Sequence, residues 1–153
     1  MAFGFSQGLF AFENKPYQDI LKEKFNSCEL KKENVYLTEV QKKKIETKLE
    51  SKVSAMILRY FYPCKGSYVY VDSHFVRTLN ETTVVEVNKE QLNSIHIASF
   101  MEPKEYLPPR KWLDKLALNQ KVDGLTGATL SQNAILRVVD KYKVVNQVLN
   151  DKE

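Results

Sequence analysis

The sequence predicts an α+β domain in which an antiparallel sheet of about four strands is packed by helices. Three observations predict this class. Apolar residues recur with a period of 3.6 residues on both sides of the middle of the chain, which is typical of amphipathic helices. Residues 56–100 are rich in β-forming residues and hold four candidate strands. The links between these strands are too short for a crossover helix, so neighbouring strands are expected to be antiparallel.

The first half of the chain contains two predicted helices. Asn14-Lys15-Pro16 is expected to open a short one, because proline suits the first turn, and its apolar stripe consists of Tyr17, Ile20, Leu21 and Phe25. Residues 34–37 are expected to be a short extended piece. Thr38 and Gln41 have the spacing of a capping box. The helix that follows them is expected to turn Ile45, Leu49 and Val53 inward.

The predicted strands cover residues 56–62, 68–78, 82–87 and 94–100. Pro63 closes the first of them and Gly66 breaks the chain again. Residues 100–113 then form a stiff loop with three prolines, and Pro109 is placed to start a helix. From composition alone this is a structural loop whose Trp112 fills the core.

Length and composition favour one domain. The chain has 153 residues, of which 43% are hydrophobic and 27% charged, which suffices for a real core. We assign residues 14–153 to a single domain. The first twelve residues are apolar without a basic n-region, and the segment of residues 1–13 fits either the remnant of a secretory signal cut near Ala11 or an ordinary N-terminal segment. No stretch reaches the 18 or so apolar residues of a membrane span.

The charge pattern and the small number of cysteines and histidines disfavour two classes of function, nucleic-acid binding and metal chemistry. The net charge of +4 comes from 23 basic and 19 acidic residues, and lysines alternate with glutamates as on a solvated helix face. This pattern disfavours nucleic-acid binding. Two His and two Cys provide little for metal chemistry. Cys28 and Cys64 could pair outside the cytoplasm, where the loop would be worth roughly 4 kcal/mol, or could remain two buried thiols.

Residues 123–131 form a Gly/Thr-rich turn that leads directly into a predicted helix. The apolar face of this helix consists of Ala134, Ile135, Val138, Val139, Tyr142, Val145 and Leu149. A helix N-terminus offers free backbone N–H groups and a dipole that favour an anion. The alternative is that Thr129 or Ser131 serves only as an N-cap.

The stretch from Asp123 to Thr129 resembles the flavinylation motif of FMN-binding domains. In that motif Asp is followed by Gly or Ala, any residue, Ser or Thr, and then Gly-Ala-Thr, and every position agrees here. Residues 100–112 and 71–78 are similar to segments found in a subset of this family, so the likeness runs from about residue 37 to 145. The family includes flavin-carrying subunits of sodium-translocating NADH:quinone oxidoreductase and related electron-transport complexes.

The resemblance implies a role for each candidate residue. Thr129 would carry FMN through a phosphoester bond installed by a flavin transferase. The phosphate and ribityl chain would be lined by Thr126, Gly127, Ala128, Leu130 and Ser131. Asp123 would serve the transferase or hold the turn, since a carboxylate aimed at a phosphate would repel it.

The isoalloxazine would be covered by Glu102, Tyr106 and Leu107. Arg77 would balance the phosphate charge, unless it is an ordinary surface arginine, and His74 is expected to be structural or exposed.

The expected function is therefore that of an electron carrier. A flavin tethered through its phosphate cannot diffuse away, and the protein supplies its position and electrostatics. Its partners would be a membrane reductase or another donor and an acceptor such as a cytochrome, outside the cytoplasm, with the membrane reached only through a partner. The alternatives are a flavin-dependent reductase of a small electron acceptor and a binding module that carries no flavin.

Overall fold

A computed structural model of the chain describes residues 12–122, Gly124 and residues 129–151. These residues form a five-stranded antiparallel sheet and four α-helices. The strands are β1 Lys31–Tyr36, β2 Met56–Tyr62, β3 Ser67–Phe75, β4 Asn80–Asn88 and β5 Gln91–Phe100. The α-helices are α1 Tyr17–Lys24, α2 Glu39–Leu49, α3 Arg110–Ala117 and α4 Thr129–Asn150, and a 3₁₀ turn covers Lys104–Tyr106. The predicted α+β class is confirmed.

The sheet is a meander in which the strands lie in sequence order, β1-β2-β3-β4-β5. It has one strand more than the four predicted. The additional strand is β1, which pairs with β2 so that Val35 lies opposite Ile57. Residues 31–33 are Lys-Lys-Glu. Because these three residues are charged, the composition of this segment did not predict a strand over its whole length. Such charges are common on edge strands, where they discourage pairing with another chain.

Helices cover both faces of the sheet. On one face, α1 and the residue that follows it bury three apolar side chains, Ile20, Leu21 and Phe25, against Val69, Val84 and Ala98. On the other face α2, α3 and α4 form the larger core, and the predicted apolar side of α4 is buried along its length except for the partly buried Leu149. The long C-terminal helix is thus a core element whose first turn carries Thr129.

Several local predictions are confirmed. Thr38 Oγ1 accepts a hydrogen bond from the Gln41 N–H at 3.1 Å, and Gln41 Oε1 accepts one from the Thr38 N–H at 3.0 Å, which completes the capping box at the start of α2. Pro109 directly precedes α3. Trp112 is buried in the larger core, as expected of a residue that fills it.

Strand β3 ends at Phe75, before the predicted end at residue 78. Residues 76–79 instead form the tight link to β4, in which the Val76 N–H donates to the Leu79 carbonyl at 3.1 Å. Composition did not reveal this end because Val76, Arg77 and Thr78 continue the pattern of a strand. The turn places Arg77 outside the sheet.

Cys28 and Cys64 form a disulfide, with Cα atoms 6.0 Å apart. The sequence left open whether these cysteines pair. The bond joins the segment between α1 and β1 to the end of β2, so it ties the N-terminal helix to the sheet.

Candidate functional site

The predicted acceptor, Thr129, is the first residue of α4 and is exposed. The backbone N–H groups in the first turn of a helix have no partner within the helix. Ser131 lies inside α4, so it is not the N-cap of this helix. Ser131 is buried two residues further along, and Leu130 is 53% exposed.

Much of the motif itself lies outside the described residues, namely Asp123, Leu125, Thr126, Gly127 and Ala128. Gly124 is described and exposed. A Cβ placed on this glycine would lie 3.9 Å from the Gln132 side-chain oxygen. Gly124 therefore lies close to the first turn of α4.

The structure brings together two of the predicted site residues, Arg77 and Tyr106. The Arg77 guanidinium carbon lies 5.7 Å from the centroid of the Tyr106 ring. Arg77 is exposed, as the surface alternative anticipated, while Tyr106 is half-buried and packs against the larger core. A cation over an aromatic face is worth about 0.5–1 kcal/mol at an exposed site. This pair joins the proline loop to the turn between β3 and β4.

Glu102 contacts the turn between β3 and β4, in which Arg77 lies. Its Oε2 accepts hydrogen bonds from the N–H groups of Thr78 and Leu79, at 2.9 and 2.8 Å. These backbone bonds, the Thr78 bond first, lower the pKa of the Glu102 carboxyl. The carboxylate thus stabilises the β3–β4 turn that carries Arg77, a structural task which sequence reasoning did not anticipate.

Leu107 lies on another surface of the same loop. It lines a cavity of about 460 Å³ together with Phe12, Ile97, Pro108, Pro109, Arg110 and Leu113. The lining is apolar apart from Arg110. Tyr106 and Leu107 are half-buried neighbours, yet only Leu107 faces this cavity.

A buried polar cluster, which the sequence did not single out, lies on β3 and β4. His74 Nδ1 lies 2.9 Å from Asp72 Oδ2, and His74 Nε2 lies 2.6 Å from Glu81 Oε1. Asp72 Oδ1 also accepts hydrogen bonds from Lys141 Nζ, at 3.0 Å, and from the Tyr142 hydroxyl. Glu81 is fully buried. One histidine is therefore held between two carboxylates, with a lysine from α4 beside them.

The cluster shifts the protonation of its members. Burial lowers the pKa of His74, but the hydrogen bonds to Asp72 and Glu81 outweigh it and raise the pKa to about 9. Burial raises the pKa of Asp72, and the bond from His74 and the charge of Lys141 bring it down to about 2. At neutral pH His74 is thus a cation and Asp72 an anion.

A second buried network lies next to this cluster. The rings of Tyr70 and Tyr142 stack with centroids 4.7 Å apart. The Tyr70 hydroxyl donates to Asn146 Oδ1 at 2.6 Å and accepts from Arg59 Nη1 at 3.2 Å. Burial raises the pKa of Tyr70 to about 12. Strands β2 and β3 are thereby joined to α4 through polar groups inside the larger core.

A signal for the polar cluster was present in the sequence. Asp72 and His74 are two residues apart in a predicted strand, so their side chains project from the same face. Glu81 lies near the start of the next strand, and His74 pairs with it in the observed register. The contribution of Lys141 has no such local signal, because it depends on how α4 docks on the sheet.

Compared with family models, with curated proteins and with solved structures, the chain matches none of them. The resemblance to FMN-binding domains therefore stays a prediction from the sequence segments described above. Among the described residues, no helix is long and apolar enough to cross a membrane. The described residues also contain no group of three His, Cys, Asp or Glu side chains placed to hold a metal ion.

Proposed function

We propose that this chain is an electron-transfer flavoprotein that carries FMN covalently through a phosphoester bond to Thr129. It would pass electrons between a reductase or membrane donor and a partner acceptor. The observation that carries the proposal is the position of Thr129, which is the last residue of a stretch that matches the flavinylation motif at every position and the exposed first residue of a 22-residue helix. A transferase must reach the hydroxyl, and an exposed side chain allows this.

The helix supports the attached group electrostatically. A phosphodiester on Thr129 would carry one negative charge beside the free N–H groups and the positive dipole end of α4. Gly124, a residue of the motif, lies close to this turn, since a Cβ on it would be 3.9 Å from the Gln132 side-chain oxygen. Its glycines would let the backbone approach the phosphate closely.

The proline loop is proposed to contact the isoalloxazine. Tyr106 and Leu107 are half-buried, so each keeps part of its side chain available for a planar ring. Arg77 is within cation–π distance of Tyr106 and could approach the charged part of the cofactor. Glu102 would act indirectly, because its carboxylate is engaged by the β3–β4 turn.

An extracytoplasmic location is also proposed. The disulfide between Cys28 and Cys64 supports it, since such bonds persist in oxidising compartments and are rare in the cytosol. A flavin transferase acting in the same compartment would modify the chain there.

A second candidate is a flavin-dependent reductase of a small electron acceptor. It is favoured by a cavity of about 770 Å³ beside α4, within the range of small-molecule sites. Ala134 lines this cavity and lies five residues after Thr129, which is about 7.5 Å along the helix axis.

Intact mass after co-expression with a flavin transferase tests the proposal. The expected gain is the mass of FMN less one water, because the phosphoester forms between the threonine hydroxyl and the phosphate. Thr129→Ala should lose this gain and stay folded, since the side chain is exposed in the structure. Thr38→Ala, a change at the start of another helix, should keep it. Flavin mass retained on the Thr129→Ala protein would refute the assignment.

A further inference from the structure

The cavity of about 770 Å³ opens between the C-terminal end of α2, strand β3 and helix α4. Part of its wall is apolar, formed by Leu49, Val53, Ala134, Val138 and Val144. Phe75 also lines the cavity and is 69% exposed, a large fraction for an aromatic side chain. This wall offers apolar and aromatic surface to the body of a ligand.

The inner part of the cavity is polar and close to electrically neutral. It is formed by Asp72, His74 and Lys141, three members of the buried cluster. The Asp72 carboxylate is paired with both His74 and Lys141, and His74 also pairs with Glu81. The two cations, His74 and Lys141, therefore balance the two carboxylates, Asp72 and Glu81. The negative charge of Asp72 is neutralised by its neighbours and repels an anion in the cavity only weakly.

The outer part of the cavity carries the excess positive charge. Its cations are Lys48, Lys52, Arg137 and Lys143, and its acids are Glu50 and Asp140. Lys48 Nζ donates a hydrogen bond to a neutral group, the side-chain amide oxygen of Gln147. Lys52 approaches Glu46 at 3.9 Å and is 95% exposed, a contact worth little.

Two of these cations remain available to a ligand. The side chains of Arg137 and Lys143 make no hydrogen bond or ion pair with any other residue that the structure describes. They are six residues apart on α4 and line one cavity together with the apolar wall. A guanidinium offers paired donors that match a carboxylate.

From this arrangement we propose that the cavity binds a small aromatic carboxylate. Its ring would lie against Phe75 and the apolar wall, and its anionic group would bond the Arg137 guanidinium, while Lys143 adds positive charge to the same cavity. The site lies within one chain and does not depend on the flavin. A carboxylate of this class is also what the reductase alternative would need if its acceptor were an anionic aromatic compound.

Titration of the full ¹⁵N-labelled chain with 1-naphthoate tests the proposal by NMR. The measurement is made on protein without flavin and repeated on flavinylated protein, so that its result is independent of the modification of Thr129. Amide shifts are expected at Phe75, Arg137 and Lys143, with a Kd below about 1 mM. The neutral 1-naphthalenemethanol and inorganic phosphate should each bind about tenfold more weakly. The alcohol lacks the negative charge, and phosphate lacks the aromatic ring.

Variants separate the charge from the apolar contact. Arg137→Gln combined with Lys143→Gln should weaken naphthoate binding about tenfold and abolish its preference over the alcohol. Phe75→Ala should weaken both aromatic probes alike. Lys111→Gln, which removes an exposed charge on α3 outside the cavity, serves as the control and should change nothing. Circular dichroism checks that each variant is folded.

Three results would overturn the proposal. The first is the absence of cavity shifts with naphthoate. The second is equal affinity for naphthoate and its alcohol, which would make the cavity an apolar groove with no anion preference. The third is unchanged affinity in the Arg137/Lys143 double variant. If an acidic peptide shifted the same amides while naphthoate did not, the surface would be a protein-docking face instead.

Discussion

His74 Nε2 lies 2.6 Å from Glu81 Oε1, across the pairing of β3 with β4, and Glu81 is fully buried. A buried carboxylate without a charged partner destabilises a protein, because nothing in the interior offsets the hydration free energy that the carboxylate loses. His74 supplies that partner when it is protonated, and Asp72 holds the other ring nitrogen. The cluster therefore links the protonation of one histidine to the stability of the sheet.

The first prediction concerns the pH dependence of this link. The pKa of His74 is raised from its ordinary value of 6.5 to about 9. Its stabilising effect is thus fully present below pH 6.5 and is lost as the pH rises through about 9. His74→Gln should lower the free energy of unfolding by roughly 2–4 kcal/mol at pH 6. The difference from the parent protein should shrink by pH 10.

His96→Gln is the matched control. Burial, followed by the charge of Arg110, lowers the pKa of His96 to about 4, so this histidine is neutral throughout the range from pH 6 to 10. Urea denaturation of both variants at several pH values gives the comparison. A cost of His74→Gln that stays constant from pH 6 to 10 would contradict the ionic role.

The second prediction concerns Tyr142, whose hydroxyl donates to Asp72 Oδ1. Tyr142→Phe keeps the ring and its stacking on Tyr70 but removes this donor. We expect a loss of about 1–3 kcal/mol in the free energy of unfolding. The pKa of Asp72 should rise, since the Tyr142 bond is among the contacts that lower it. Tyr36→Phe, at a tyrosine 74% exposed on β1, should be neutral; an equal effect of both changes would contradict the prediction.

The third prediction concerns the disulfide. The bonded cysteines are 36 residues apart, and closing a loop of that length in the unfolded chain is worth roughly 4 kcal/mol in the chain-entropy model. The Cys28→Ser/Cys64→Ser double variant should lose most of this stability. A reducing agent should lower the stability of the parent protein and leave the double variant unchanged. Insensitivity of the parent to reduction would show that the bond does not stabilise it.

The fourth prediction concerns the proline loop and applies to flavinylated protein. Tyr106→Ala should shift the absorbance, the emission or the midpoint potential of the flavin, because an aromatic surround tunes flavin electronics. Thr129 should remain modified, as intact mass will show. Tyr36→Ala, which removes an exposed tyrosine from the edge strand, is the control. Flavin properties unchanged in the Tyr106 variant would make the loop purely structural.

The fifth prediction separates the carrier from the reductase. A carrier keeps part of its isoalloxazine exposed for contact with another protein, whereas an enzyme encloses it with its substrate. The reduced, flavinylated protein should pass electrons to a suitable cytochrome, at a rate that falls as salt rises. It should not turn over quinones or fumarate rapidly by itself. Fast, saturable turnover of one such molecule without a partner would refute the carrier.

Local physical chemistry explains which elements were predictable. The start of α2 followed from the Thr38–Gln41 pair and the start of α3 from Pro109, because capping bonds and the fixed φ of proline act within a few residues. The apolar face of α4 followed from its period. The antiparallel arrangement of the strands followed from the links between them, which are too short for the crossover helix that parallel strands need. Edge strand β1 was seen only in part, because its first residues are charged and gain their structure from pairing with β2.

The sequence by itself determined the α+β class, most element positions and the motif that ends at Thr129. Tertiary structure alone decided which polar groups meet. Asp72 and His74 share a face by strand geometry, but Lys141 and Tyr142 reach them only because α4 packs across β3. Cys28 and Cys64 pair because the fold brings their Cα atoms to 6.0 Å. Contacts between residues far apart in the chain depend on register and helix docking, and no local pattern specifies either.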